Sequence, residues 1–92
     1  MRTEFTMDGV AYRFVRQLTI KRPKAKKPQN YALYDASIEA GPDGKIEYLS
    51  MFRVRPNLRI EFVGNIRLGA GWSNRSDAER RLIEKLVEDG QG

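Results

Sequence analysis

The sequence predicts an α+β fold: a single two-layer domain, with a five- to six-stranded antiparallel sheet of hairpins carrying one C-terminal amphipathic helix on one face. Three observations predict it. Turn residues punctuate stretches of alternating hydrophobicity through the first 70 positions. The last stretch changes to the helical period. A chain of 92 residues has material for one core only. Strands are expected at about 2–7, 10–20, 31–40, 45–54, 58–62 and 66–70, a basic loop at 21–29, and the helix at about 77–89.

The first hairpin turns at Asp8-Gly9, a two-residue loop whose central residues take positive φ. It pairs Met7 with Val10, Phe5 with Tyr12 and Thr3 with Phe14, so all six share one face. Arg16 interrupts the apolar run Tyr12, Phe14, Leu18, Ile20, which predicts a bulge near Val15-Arg16. The second hairpin turns at Gly41-Pro42-Asp43-Gly44. A three-residue loop there pairs Ala40 with Ile46, Ile38 with Tyr48, Ala36 with Ser50, Tyr34 with Phe52 and Ala32 with Val54. That register sets Glu39 against Glu47, a like-charge pair outweighed by the long apolar match. A third turn is expected at Val63-Gly64-Asn65, with Phe62 against Ile66 and Ile60 against Leu68.

Ser76 and Glu79 have the spacing of a capping box. Ala78, Leu82, Ile83, Leu86 and Val87 form one stripe at helical spacing, and Gly90 is the stop. A lone helix of this length is marginal in water. It is therefore expected to lie across the apolar, aromatic face of the sheet.

Composition narrows function. The chain has no Cys and no His, which removes thiolate and imidazole nucleophiles, bases and metal ligands together. Asp35, Glu39, Asp43 and Glu47 gather on one hairpin, but their flexible spacing reads as surface solubility. A non-enzyme without cofactor or metal is the expectation. The N-terminal residues carry no signal-peptide run and no stretch approaches a membrane span, so a cytoplasmic location and no membrane partner are expected.

Charge directs attention to two surfaces. The net charge is +5, divided as +6 over residues 1–34, −3 over 35–50, +4 over 51–75 and −2 over 76–92. The loop after the second strand holds Lys21, Arg22, Lys24, Lys26 and Lys27 among two prolines, an arm suited to phosphate or a solubilising loop. By the registers above, the sheet face opposite the helix shows Arg13, Tyr31, Arg53, Arg55 and Arg59 together with Gln17 and the apolar Leu33, Leu49 and Met51. Cations interleaved with an aromatic suit single-stranded nucleic acid, with Tyr31 as the stacking side chain. They equally suit a protein partner. Leu33, Leu49 and Met51 are candidates for a partner interface, a homodimer contact, or packing beneath the basic loop.

Two resemblances attach to these residues. Gly69, Gly71, Ser73, Ala78 and Glu79 resemble the C-terminal strand-to-helix junction of double-stranded RNA-binding domains. Ala78 falls one residue late there, and Asn74 and Arg75 replace that family's lysine pair. The whole chain, with its hairpin-rich sheet and a late helix opening Ser76-Asp77-Ala78-Glu79, resembles small phage-encoded anti-CRISPR inhibitors. The first expectation is a small non-catalytic module that engages nucleic acid or a ribonucleoprotein. The second resemblance implies an inhibitor that blocks a CRISPR effector complex mainly through protein contacts.

Overall fold

A computed structural model of the chain describes residues 3–39, 41–42, 44–69 and 75–89, and for 88 and 89 the backbone alone. It shows an α+β fold: one five-stranded antiparallel meander and one C-terminal helix. The elements are β1 (Glu4–Met7), β2 (Val10–Ile20), β3 (Gln29–Glu39), β4 (Lys45–Val54), β5 (Ile60–Arg67) and α1 (Arg75–Asp89). Strand order in the sheet follows chain order. The connections β2–β3 and β4–β5 therefore emerge at one end, and β1–β2 and β3–β4 at the other.

The first hairpin has the expected register, with Phe5 opposite Tyr12 and Met7 opposite Val10. Asp8 and Gly9 both have positive φ, and the Phe14 N–H donates to the Thr3 carbonyl at 2.7 Å. The bulge in β2 is present between Phe14 and Arg16. The second hairpin keeps the expected faces but slips by two residues, so that Ile38 faces Ile46, Ala36 faces Tyr48 and Ala32 faces Phe52. The slip sets Glu39 against Lys45 instead of Glu47, replacing a repulsion by an attraction. Ala40 and Asp43, in the turn expected there, lie outside the described residues.

The third hairpin does not form. The expected strands 58–62 and 66–70 are one strand, β5, in which Phe62 faces Phe52 and Gly64 faces Met51. The extra residue, Val63, is accommodated as a bulge, so Gly64-Asn65 continues the ladder rather than reversing it. The reversal comes earlier. Arg55-Pro56-Asn57-Leu58 closes with the Leu58 N–H donating to the Arg55 carbonyl at 2.8 Å, and the Arg55 N–H donates to Arg59 at 2.8 Å.

Helix α1 packs on the face that carries Tyr31, Leu33, Leu49, Met51 and Ile66, against its own Ala78, Leu82 and Leu86. This reverses the expected choice of face. The bulge in β2 is one cause: it puts Val15, Leu18 and Ile20 beside this cluster. Ser76 lies inside the helix, and Glu79 pairs with Arg16 on β2 instead of closing a capping box. Arg75 pairs with Asp35 on β3. Two ion pairs thus tie the N-terminal part of α1 to the sheet.

The other face holds Phe5, Tyr12, Phe14, Ala32, Tyr34, Ala36, Tyr48, Phe52, Val54 and Ile60, with no helix over it among the described residues. Its centre is nonetheless closed, Tyr34 at 0% and Phe52 at 1% exposure. Curvature closes it. The Phe5 and Phe52 rings lie 6.1 Å apart although β2 and β3 separate their strands, which in a flat sheet stand about 14 Å apart. Ala32, Ala36 and Ser50 on the central strands leave the room into which the rings converge.

Candidate nucleic-acid interface

The meander brings together two basic segments that are far apart in sequence. The Lys21–Lys27 loop leaves from the Ile20–Gln29 row, and the 55–59 loop leaves from the Val54–Ile60 row beside it. One end of the sheet therefore carries Lys21, Arg22, Lys24, Lys26 and Lys27 from the first loop and Arg53, Arg55 and Arg59 from around the second. Glu61 is the acid among them.

These cations are not equivalent. Lys21, Lys24, Lys26, Lys27 and Arg59 are exposed. Arg22 is half-buried and turns inward, because Pro23 presets a turn closed by the Ala25 N–H on the Arg22 carbonyl at 3.0 Å. Its Nε is buried without a hydrogen-bond partner. The side chain enters a cleft of about 290 Å³ lined also by Val63, Asn65, Leu82 and Lys85. Arg22 thus anchors the loop to the helix layer, while its four lysines face water. Arg55 is half-buried and its Nε–H donates to Glu61. That hydrogen bond, against a smaller opposing effect of desolvation, holds the Glu61 carboxyl below its ordinary value, and the charges of Arg55, Arg53 and Arg59 add to it.

Several sequence-predicted site residues are elsewhere. Tyr31 is 1% exposed beneath α1, its hydroxyl donating to Gln29 Oε1 at 3.0 Å, so it has no free ring face on which a base would stack. Leu33, Leu49 and Met51 are fully buried under the same helix, which removes them as a partner or dimer surface. Arg13 lies towards the opposite end, opposite Asp35 and 4.0 Å from Glu4. Gln17 stands opposite Ala32 on the aromatic face. Of the resemblance at the strand-to-helix junction, Gly71 and Ser73 lie outside the described residues.

Sequence reasoning left 55–57 as a connection and named Arg55 and Arg59, but read no turn there and did not single out Leu58 or Phe62. Leu58 has φ 67° and is 67% exposed. It fills the last position of a three-residue hairpin loop, where the left-handed conformation ordinarily selects glycine. The strain there costs about 1 kcal/mol or more, and the exposed isobutyl group adds nothing to the core. Asn57 Oδ1 accepts from the Arg59 N–H at 3.1 Å, which fixes the loop further. The readable signal was Pro56-Asn57 ahead of a strand.

The opposite end contrasts with this one. Its broad depression of about 590 Å³ is lined by Glu4, Arg13, Asp35, Lys45 and Glu47 with Tyr12 and Tyr48, both signs of charge together. Among the described residues no three acidic side chains gather as a metal site, and no helix is long and apolar enough to cross a membrane. Comparison of the chain with protein-family models, curated proteins and solved structures gives no match.

Proposed function

We propose that this protein is a non-catalytic binding module that holds nucleic acid by its phosphates at the basic end of the sheet. The convergence of the Lys21–Lys27 loop and the 55–59 loop at that end carries the reading. Exposed Lys21, Lys24, Lys26, Lys27 and Arg59 are the phosphate contacts, and Arg22 anchors the arm that presents the lysines. A polyanion is favoured because each neutralised phosphate releases counterions, a gain that a single small anion does not repeat. Arg53 and Arg55 contribute less, since both are half-buried and Glu61 engages Arg55.

The test is a titration of labelled oligonucleotide over a salt series, with the wild type and a variant carrying Lys21→Gln, Lys24→Gln, Lys26→Gln and Lys27→Gln. Affinity should fall steeply with salt, and the variant's slope should be smaller by about 0.7 for each phosphate that it no longer neutralises. These four side chains are exposed, so the variant should keep its melting temperature. Absence of binding at about 50 mM salt, or a slope unchanged in the variant, overturns the reading.

A further inference from the structure

We infer that Leu58 and Phe62, on either side of Arg59, contact the bases of a single strand whose phosphates the basic end holds; the inference rests on the function proposed above. The described residues expose four large hydrophobic side chains, and three of them, Leu58 at 67%, Phe62 at 53% and Val63 at 39%, fall within six consecutive positions. Those positions begin at the tip of the 55–59 loop and run up β5, which among the described residues has no neighbouring strand on its outer side. The same six residues include the exposed cation Arg59 and one acid, Glu61, which Arg55 engages.

Leu58 and Phe62 are presented rather than stored, whereas Val63 lines the Arg22 cleft. The Phe62 ring stands at 78° to Phe52 with centroids 5.7 Å apart, an edge contact that leaves the ring half in solvent. Phe52 is 1% exposed within the aromatic cluster, so Phe62 rests on a firm base. Leu58 is held outward by a left-handed backbone that glycine or asparagine adopts more readily. Strained positions of this kind cluster where a protein makes functional contacts.

Charge complementarity selects the occupant. A partner at this ridge adjoins Arg59 at the end of the sheet that also carries the lysine loop, which favours an anionic partner, and Leu58 and Phe62 call for flat apolar surface on it as well. A single strand supplies both, phosphates at regular intervals and bases with free faces. In a duplex the base faces are already stacked. An aromatic side chain under one base and an aliphatic side chain beside the next suit the unstacked form.

The experiment compares three labelled ligands of about a dozen nucleotides: a mixed-sequence single strand, an abasic strand with the same phosphates, and a duplex. The wild type should bind the base-bearing strand about tenfold more tightly than the abasic strand, and more tightly than the duplex. Phe62→Ala should remove most of that preference and leave abasic binding unchanged. Leu58→Asn should weaken base-bearing binding several-fold while raising the melting temperature by a few degrees, because asparagine tolerates positive φ. A merely structural Leu58 would not move affinity and stability in opposite directions. Equal binding of base-bearing and abasic strands overturns this inference and leaves phosphate binding standing. A preference that survives both substitutions overturns the role of the two residues. Failure to bind any ligand at low salt overturns both proposals.

Discussion

The two faces of this sheet are closed by different devices. Under α1, Tyr31, Leu33, Leu49 and Met51 are sealed by a second layer, the helix residues Ala78, Leu82 and Leu86. On the aromatic face the sheet coils until rings from all five strands meet: Phe5 stacks on Tyr12 at 4.8 Å, and Tyr34, Phe52 and Phe62 continue edge to face. The difference teaches that an uncovered face is not an open one. Its middle is a dry core, and its margins, Met7 on β1 and Phe62 on β5, reach solvent. A domain this small needs both faces, since one face alone supplies too little buried apolar area.

Truncation on each side breaks the comparison most sharply. Phe52→Ala should cost about 3–5 kcal/mol and Leu82→Ala about 2–5 kcal/mol in denaturant unfolding. Near-equal losses mean that the coiled face is as much a core as the helix-covered one. A Phe52→Ala loss below about 1.5 kcal/mol would show a face open enough to refill with water.

The same contrast explains how much of the molecule is legible in its sequence. The Asp8-Gly9 hairpin is fully specified, because a two-residue loop and strict alternation leave one register. The second hairpin is specified only up to an even shift. Moving by two residues keeps every side chain on its face, so the apolar pattern is blind to it, and the Glu39–Lys45 pairing distinguishes the registers only once the turn is seen to be longer. The face chosen by α1 was not readable. It depends on what the bulge at Val15 does to Leu18 and Ile20, and on Ala32, Ala36 and Ser50, whose small size sets curvature rather than hydrophobicity. The candidate site divides likewise. The lysine loop is evident from composition alone, whereas its sharing one end of the sheet with Arg59 and Leu58 follows from topology, and the burial of Tyr31 leaves Phe62 as the exposed ring for which stacking is proposed.

Ser50 sharpens the contrast at a smaller scale. It sits at 1% exposure on the aromatic face, opposite Tyr34, and its Oγ has no hydrogen-bond partner among the described residues. A hydroxyl desolvated without a partner is a net cost, while the space it fills permits the coil. Ser50→Ala keeps the small volume and removes the unpaired group. The variant should be more stable by about 1 kcal/mol, read as a rise in the denaturant midpoint at unchanged slope. A loss of stability would mean that the hydroxyl is paired, and that the aromatic core is wetter than its geometry shows.

The smallest expected effect falls on the helix-covered side, at Gly64. If Gly64-Asn65 formed a two-residue turn, Gly64 would be left-handed and Gly64→Ala would cost more than about 1 kcal/mol. In the strand the backbone is not left-handed, and an added Cβ would lie 3.9 Å from Leu82 Cδ1, an ordinary contact. Gly64→Ala should then shift stability by no more than about 0.5 kcal/mol, with the gain from a less flexible unfolded chain nearly offset by the glycine's lost room. The substitution separates two readings of one dipeptide. It also tests the second layer directly, because the methyl group fits only if Leu82 stands over β5 as the structure places it.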